Sequence, residues 1–176
     1  MTKQELRQEI RRRKAACSTE ERAALSRVAI ANLLSTPEWL AAETILLYHS
    51  LPDEVNTDNL IRHTFQHGKR IILPAVTGYD LELREYSGEE HLVEGAFHIQ
   101  EPVGDVFTDY SSIDLAVIPG VAFTPAGARL GRGRGYYDRL LPRLVGTYKI
   151  GLCWNFQIVK DIPVEPHDVL MDSVVC

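Results

Sequence analysis

The sequence has little cysteine, no excess of positive charge and no long apolar run. Its three cysteines, Cys17, Cys153 and Cys176, are odd in number and far apart in 176 residues. Such a set argues against a disulfide framework or a thiolate zinc site, and for a reducing compartment; a cytoplasmic location is expected. The formal net charge of -5 leaves no global basic field to attract nucleic acid. Any anion site must therefore be built locally, and no nucleic-acid partner is expected. No stretch approaches the ~20 apolar residues that span a bilayer. The opening Met1-Thr2-Lys3-Gln4-Glu5-Leu6-Arg7 is charged and helical in pattern, unlike a signal peptide, so no membrane partner is expected. His63 and His67 are four apart on a predicted helix, but Thr64 stands where a zinc-protease motif needs Glu. That pair reads as helix surface.

What is present is an ordinary globular composition, 45% hydrophobic and 24% charged. It suffices for one domain over residues 1–176 with a sizeable core, and a monomer is expected. Residues 2–16 predict a basic amphipathic helix. Leu6 and Ile10 are one turn apart, while Lys3, Arg7, Arg11 and Lys14 follow helical spacing on another face. Ser18 and Glu21 form a capping box that opens a second helix, with Leu25, Val28, Ala29 and Leu33 as its apolar stripe. Pro37 opens a short helix carrying Trp39.

An α/β alternation follows. Residues 44–48 are short, apolar and β-branched, as a buried strand requires. The turn Leu51-Pro52-Asp53-Glu54 comes next, then a helix capped by Thr57, running through Gln66 and stopping at Gly68. Residues 70–73 and 81–86 predict two strands, the second near an edge. Residues 87–112 carry turn signals at Gly88, Gly95, Pro102 and Gly104 and leave room for a strand or two. Residues 115–118 form another buried strand, closed by Pro119-Gly120. A long glycine-rich loop then leads to a helix beginning near Gly135 or Tyr136. Residues 149–154 and 173–176 complete the strands. The pattern predicts an α/β, three-layer domain with a largely parallel sheet flanked by helices. Ligands in such sheets bind beyond the carboxyl ends of the strands, which singles out the turn after Tyr48 and the loop after Ile118.

That loop carries the strongest local signal: Gly127-Ala128-Arg129-Leu130-Gly131-Arg132-Gly133-Arg134-Gly135-Tyr136-Tyr137-Asp138. Alternate glycines let backbone amides approach a ligand closely. A helix start behind them offers free N–H groups. Arg129, Arg132 and Arg134 add forked donors suited to phosphate oxygens. Together they make a candidate polyphosphate cradle. It is neither a P-loop, which needs Lys-Ser or Lys-Thr after the last glycine, nor a dinucleotide fingerprint, which needs two residues before its third glycine. A solvated loop or a short Arg-Gly RNA-binding segment remain as alternatives.

With Pro119-Gly120-Val121-Ala122-Phe123 ahead of it, this signature resembles that of the 5-formyltetrahydrofolate cyclo-ligase family. The resemblance runs over almost the whole chain. Lys3 and Arg7 resemble the family's N-terminal Lys-x-x-x-Arg, Asp53-Glu54-Val55-Asn56-Thr57 its substrate turn, and Pro166-His167-Asp168 with Asp172 its tail. Cys153 and Trp154 stand where Ala-Phe is commoner. The resemblance implies a Rossmann-like fold and an ATP- and magnesium-dependent enzyme. Its reaction would convert 5-formyltetrahydrofolate to 5,10-methenyltetrahydrofolate with release of ADP and phosphate. The formyl oxygen would attack the γ-phosphate, and the substrate's own tenth-position nitrogen would then close the ring.

By the same resemblance, ATP would meet Lys3, Gln4, Glu5, Leu6 and Arg7, and also Arg129, Leu130, Gly131, Arg132, Gly133, Arg134, Gly135, Tyr136 and Tyr137. The reduced folate would meet His49 and Glu54 and border Arg132, Gly133, Arg134, Gly135 and Tyr136. Asp138 and Asp168 would hold magnesium, and Arg132 and Arg129 would stabilise the charge that spreads during transfer. A carboxylate such as Glu54 can accept paired hydrogen bonds from a pterin's amino group and ring N–H. Lys3 and Arg7 lie on one helix face and would both point toward Gly131, whereas Arg11 and Lys14 read as a solvated face. Two other functions stay open: a different small-molecule phosphoryl-transfer enzyme on this scaffold, and a non-catalytic RNA-binding module.

Overall fold

A computed structural model describes all residues, Met1–Cys176. Three helices come first: α1 (Lys3–Ala16), α2 (Thr19–Leu34) and α3 (Pro37–Ala41). Each starts as its sequence dictates. Thr2 and Ser18 close capping boxes with Glu5 and Glu21, and Thr36 caps α3 ahead of Pro37. Then come β1 (Thr44–Leu46), α4 (Asp58–Gln66), β2 (Arg70–Thr77) and β3 (Asp80–Glu85). A small hairpin, β4 (Leu92–Glu94) with β5 (Gln100–Pro102), precedes β6 (Val106–Phe107) and β7 (Leu115–Ile118). A second hairpin, β8 (Ala122–Phe123) with β9 (Arg129–Leu130), leads to α5 (Tyr136–Leu140), β10 (Tyr148–Leu152) and β11 (Ser173–Val175).

Seven strands form one sheet in the order β11-β10-β7-β1-β2-β3-β6. All pairings from β11 to β2 are parallel, and β3 joins antiparallel on both sides. This is the expected largely parallel, three-layer arrangement. Alternate residues of the strands feed two cores. Ile45, Leu47, Ile71, Val117 and Ile150 pack under α2, α3 and α4. Leu46, Ile72, Ala116 and Ile118 face α5 and the turn at Leu141–Arg143. A third, smaller core packs Leu6 and Ile10 of α1 against Ala122, Ala128 and Leu130, so α1 docks on the β8–β9 hairpin.

Three local expectations change. Val28 is 54% exposed, because it lies roughly a third of a turn from the stripe set by Ala29 and Leu33. The strand expected over 70–73 runs on to Thr77. Pro74 is tolerated there because it lies beyond the pairing with β1, which ends at Leu46↔Ile72, so its missing N–H breaks no ladder on that side. Thr57 makes no cap to α4; its hydroxyl donates to the Tyr48 carbonyl instead.

Candidate active site

After β1 the chain leaves for β2 on one side, and after β7 it goes to β10 on the other. The connections at the ends of these two adjacent strands therefore part, and a crevice opens between them. It holds a cavity of about 320 Å³, the size of a small-molecule site. His49 and Glu54 line it from the β1 side, and Arg129, Gly131, Arg132, Gly133, Arg134, Gly135, Tyr136, Tyr137 and Asp138 from the β7 side.

The β1 connection is held by its own side chains. The Leu51 amide donates to Glu54 Oε2 at 2.9 Å. Ser50 and Thr57 exchange backbone-to-hydroxyl bonds at 3.1 Å each. This is where the Thr57 hydroxyl is used: it ties the two ends of the turn together rather than capping a helix. His49 Nδ1 lies 3.4 Å from Asp58 Oδ1, and its Nε2 is buried without a partner.

The β7 connection needs three glycines with positive φ, Gly127 at 92°, Gly133 at 98° and Gly135 at 73°, and the last two line the cavity. The helix that follows is only five residues long, so its dipole is weaker than the sequence suggested. Loop amides and arginines must supply most of the anion-binding capacity. The Arg129 side chain is 5% exposed. It donates to Asp138 Oδ1 at 2.7 Å and to the Pro119 carbonyl at 3.2 Å. Burial pulls its pKa down against the field of Asp138, but a guanidinium stays charged. Arg134 lies 4.5 Å from the Phe97 ring.

Arg132 spans the crevice. It donates to Asp53 Oδ1 at 2.6 Å and to Glu54 Oε1 at 2.9 and 3.2 Å. Burial lowers its pKa, yet the two carboxylates outweigh burial and leave it raised. The residue expected to meet phosphate and the residue expected to meet the folate are therefore hydrogen-bonded to each other.

The N-terminal residues divide. Arg7 donates to the Gly131 carbonyl at 2.9 Å, so α1 touches the glycine loop as expected. Lys3 does not point there; it pairs with Asp168 at 3.1 Å and Glu165 at 3.2 Å. The Leu6 and Leu130 side chains are packed in the third core, and the Leu6 amide and the Leu130 carbonyl already bond to Thr2 and Val121. Glu5 is engaged in its capping box, and Gln4 is exposed. Lys14 is not solvated: it is 8% exposed, because it continues the Leu6–Ile10 row one turn further.

Asp138 lines the cavity and Asp168 does not. Burial pushes the Asp168 carboxyl up, but the Glu165 amide and Lys3 outweigh it and hold the pKa below its ordinary value. Each acid places one oxygen in protein hydrogen bonds, Asp138 Oδ1 and Asp168 Oδ2, and the other oxygen of Asp168 lies 3.8 Å from His167 Nε2. No three His, Cys, Asp or Glu side chains come together as a metal-ligand group. One or two carboxylates still suit magnesium, whose other ligands are phosphate oxygens and water.

The sequence did not single out the far wall. Phe97, Ile99 and Glu101 of the β4–β5 hairpin line the cavity with Val76 and Leu81. Phe97 and His98 take positive φ, 59° and 57°, uncommon for residues with side chains. The turn glycine Gly95 and Pro102 were the only local signals, and they mark a hairpin without saying what it covers.

The whole chain, residues 1–176, matches the sequence profile described as the 5-formyltetrahydrofolate cyclo-ligase family. A 5-formyltetrahydrofolate cyclo-ligase of Mus musculus is 33% identical, over 98% of this chain and 92% of that protein. The one from Escherichia coli K12 is 31% identical, over 94% and 95%. Among solved structures, a 5,10-methenyltetrahydrofolate synthetase of Aquifex aeolicus superposes with a TM-score of 0.87 at 37% identity, covering 99% of this chain and 89% of that one. One from Mycoplasma pneumoniae gives 0.80 at 28% identity, covering 99% and 98%.

Proposed function

The chain belongs to the 5-formyltetrahydrofolate cyclo-ligase family, and from that premise we infer how its crevice performs the reaction. It is an ATP-dependent ligase that cyclises 5-formyltetrahydrofolate to 5,10-methenyltetrahydrofolate, releasing ADP and phosphate. The formyl oxygen bonds to the γ-phosphorus as the bond to ADP breaks. The substrate's tenth-position nitrogen then bonds to the formyl carbon, its proton is lost, and the C–O bond breaks to release phosphate. No protein nucleophile is needed. The protein must align a weakly nucleophilic oxygen with phosphorus and stabilise spreading charge.

The observation that carries this reading is the meeting of Glu54 and Arg132 across one cavity. In our proposal the two separate when ligands enter. Glu54 accepts from the pterin, and Arg132 with the amides of residues 131–135 holds the transferring phosphoryl group. Arg129, already paired with Asp138, fixes that carboxylate at the cavity edge. Arg7 steadies the glycine loop through Gly131, and the apolar wall at Phe97 and Ile99 receives the folate's flat rings. Asp138, with Asp168, offers carboxylate oxygens for magnesium, which would neutralise charge on the triphosphate. We also propose a cytoplasmic location, which the odd number and wide spacing of Cys17, Cys153 and Cys176 support.

The test is a mixture of protein, magnesium-ATP and 5-formyltetrahydrofolate, followed by near-ultraviolet absorbance of the methenyl product and by ADP. Equal amounts of both, only with magnesium, are expected. Folded protein that yields no methenyl product, or yields it without consuming ATP, overturns the reading.

A further inference from the structure

Lys14 is a cation that the chemistry above leaves unused. Its side chain is 10% exposed, on the face of α1 that docks. The ammonium donates to the Asp53 carbonyl at 2.7 Å and to Asp53 Oδ2 at 3.1 Å. It also lies 5.7 Å from the centroid of the Trp154 ring. Trp154 is buried, and its indole N–H donates to Ser26 Oγ at 2.9 Å. The same hydroxyl accepts from the Asn56 amide at 3.4 Å. Asp53 on one side of Glu54 and Asn56 on the other are thus tied to a buried polar network built by α1, α2 and Trp154.

A buried lysine loses hydration that an apolar residue would not, so packing alone does not explain it. Burial lowers the Lys14 pKa while Asp53 opposes that shift. Burial raises the Asp53 pKa, but Arg132 and Lys14 outweigh it and leave it lowered. Both directions fit a charged pair held at some desolvation cost.

Counting charge gives the reason for it. The two adjacent carboxylates Asp53 and Glu54 face two cations, Lys14 and Arg132. Arg132 sits on the exposed glycine loop and Lys14 on a packed helix. When Arg132 turns to phosphate, both carboxylates lose their shared guanidinium and repel each other. Lys14 cannot follow, and stays with Asp53.

We propose that Lys14 is a positioning residue: through Asp53 it holds the turn at residues 51–54 and neutralises it once Arg132 leaves, so that Glu54 stays aimed at the folate. This rests on the function proposed above. It assigns the task to a residue that touches neither substrate.

The experiment measures kcat and KM for 5-formyltetrahydrofolate and for ATP in the full chain. Lys14→Met keeps an unbranched apolar chain on Trp154 and removes the charge. Asp53→Asn removes the carboxylate at a half-exposed position. Each should raise the folate KM about tenfold, with the ATP KM moving less than about threefold. The double variant should fall short of the product of the two single factors, because the Lys14–Asp53 ion pair they share can be lost only once, although Lys14 also binds the Asp53 carbonyl and Asp53 also binds Arg132. A purely structural role predicts a lowered melting temperature with factors that multiply. Active wild type with a folate KM unmoved in either single variant, or with multiplying factors, overturns the proposal. If Lys14→Met does not fold, Asp53→Asn alone decides by the same folate KM. An inactive wild type instead overturns the functional reading, and this inference with it.

Discussion

Gly127 and Gly133 lie in the same connection between β7 and α5, and they serve different ends. Gly127 takes φ 92°, and a Cβ there would overlap the Met171 backbone carbonyl. Its own carbonyl accepts from the Met171 amide at 2.8 Å, and its amide donates to Thr124 at 3.0 Å. Gly133 takes φ 98°, but the nearest atoms to a Cβ there would be those of the Arg7 guanidinium, at 3.7 Å. One glycine is small because backbone crosses it. The other is small beside a cavity. A positive φ is common to both, so φ does not separate a glycine packed under backbone from one that lines a cavity; what lies next to the absent Cβ does.

The sharpest way to break that comparison is to add the Cβ where backbone crosses. Gly127→Ala should lower stability by about 3 kcal/mol through clash and backbone strain. In a chain of this size that is a fall in Tm of roughly 6–12 °C, read by thermal unfolding. An unchanged Tm would mean the packed half of the loop gives way, and the contrast would fall.

Arg132→Ala tests the open half in the opposite sense. A lost charge-assisted contact of about 1.5–3 kcal/mol corresponds to a fall in turnover of roughly 10- to 150-fold. Tm should change little, because the Arg132 side chain is 41% exposed, where ion pairs contribute about 0–1 kcal/mol, and the more buried Glu54 keeps its bond from the Leu51 amide. Wild-type turnover would remove Arg132 from the mechanism; a large fall in Tm would make it part of the fold.

Smaller effects belong to Arg7, which reaches the loop from α1, and to Lys3 and Asp168, which pair with each other. Lys3→Ala/Arg7→Ala should raise the ATP KM by about tenfold at most and the folate KM less, with α1 retained by Leu6 and Ile10. If neither KM moves, the open half of the loop stands without α1. Asp168→Asn should raise the magnesium concentration for half-maximal rate by a few-fold, about 1 kcal/mol or less; an unchanged dependence would make Asp168 only the partner of Lys3. Its carboxyl pKa is lowered in the folded chain. The stability it adds is therefore complete above the ordinary value near 3.9 and is lost as pH falls through the lower folded value. The variant should lose that part of the acid dependence of Tm.

Legibility followed how local each cause was. Ser18 with Glu21 and Pro37 after Thr36 announce helix starts within four residues, so the helices were readable. Residues 129–138 carry their glycines and arginines in one run, so the loop was readable too. Helical spacing groups Lys14 with Arg7 as well as with Leu6 and Ile10, and only the docking of α1 shows which row faces inward. Thr57 stands at the start of a helical pattern, but its hydroxyl donates to the Tyr48 carbonyl, a contact that local pattern does not announce. The wall at Phe97 was invisible because nothing in residues 87–112 says that a hairpin folds back over the crevice.

Local pattern in the chain sets the helices, the strands of the parallel part of the sheet and the glycine–arginine loop, since periodicity and φ preferences act between near neighbours; the hairpins β4–β5 and β8–β9 and strand β6 are not announced by it. Which charges meet is a matter of the fold. Arg132 lies 78 residues from Glu54, Arg7 lies 124 from Gly131, and Lys14 lies 39 from Asp53. Those pairings depend on strands β1 and β7 being neighbours in the sheet and on α1 docking beside them, and no local pattern in the chain encodes such a distance.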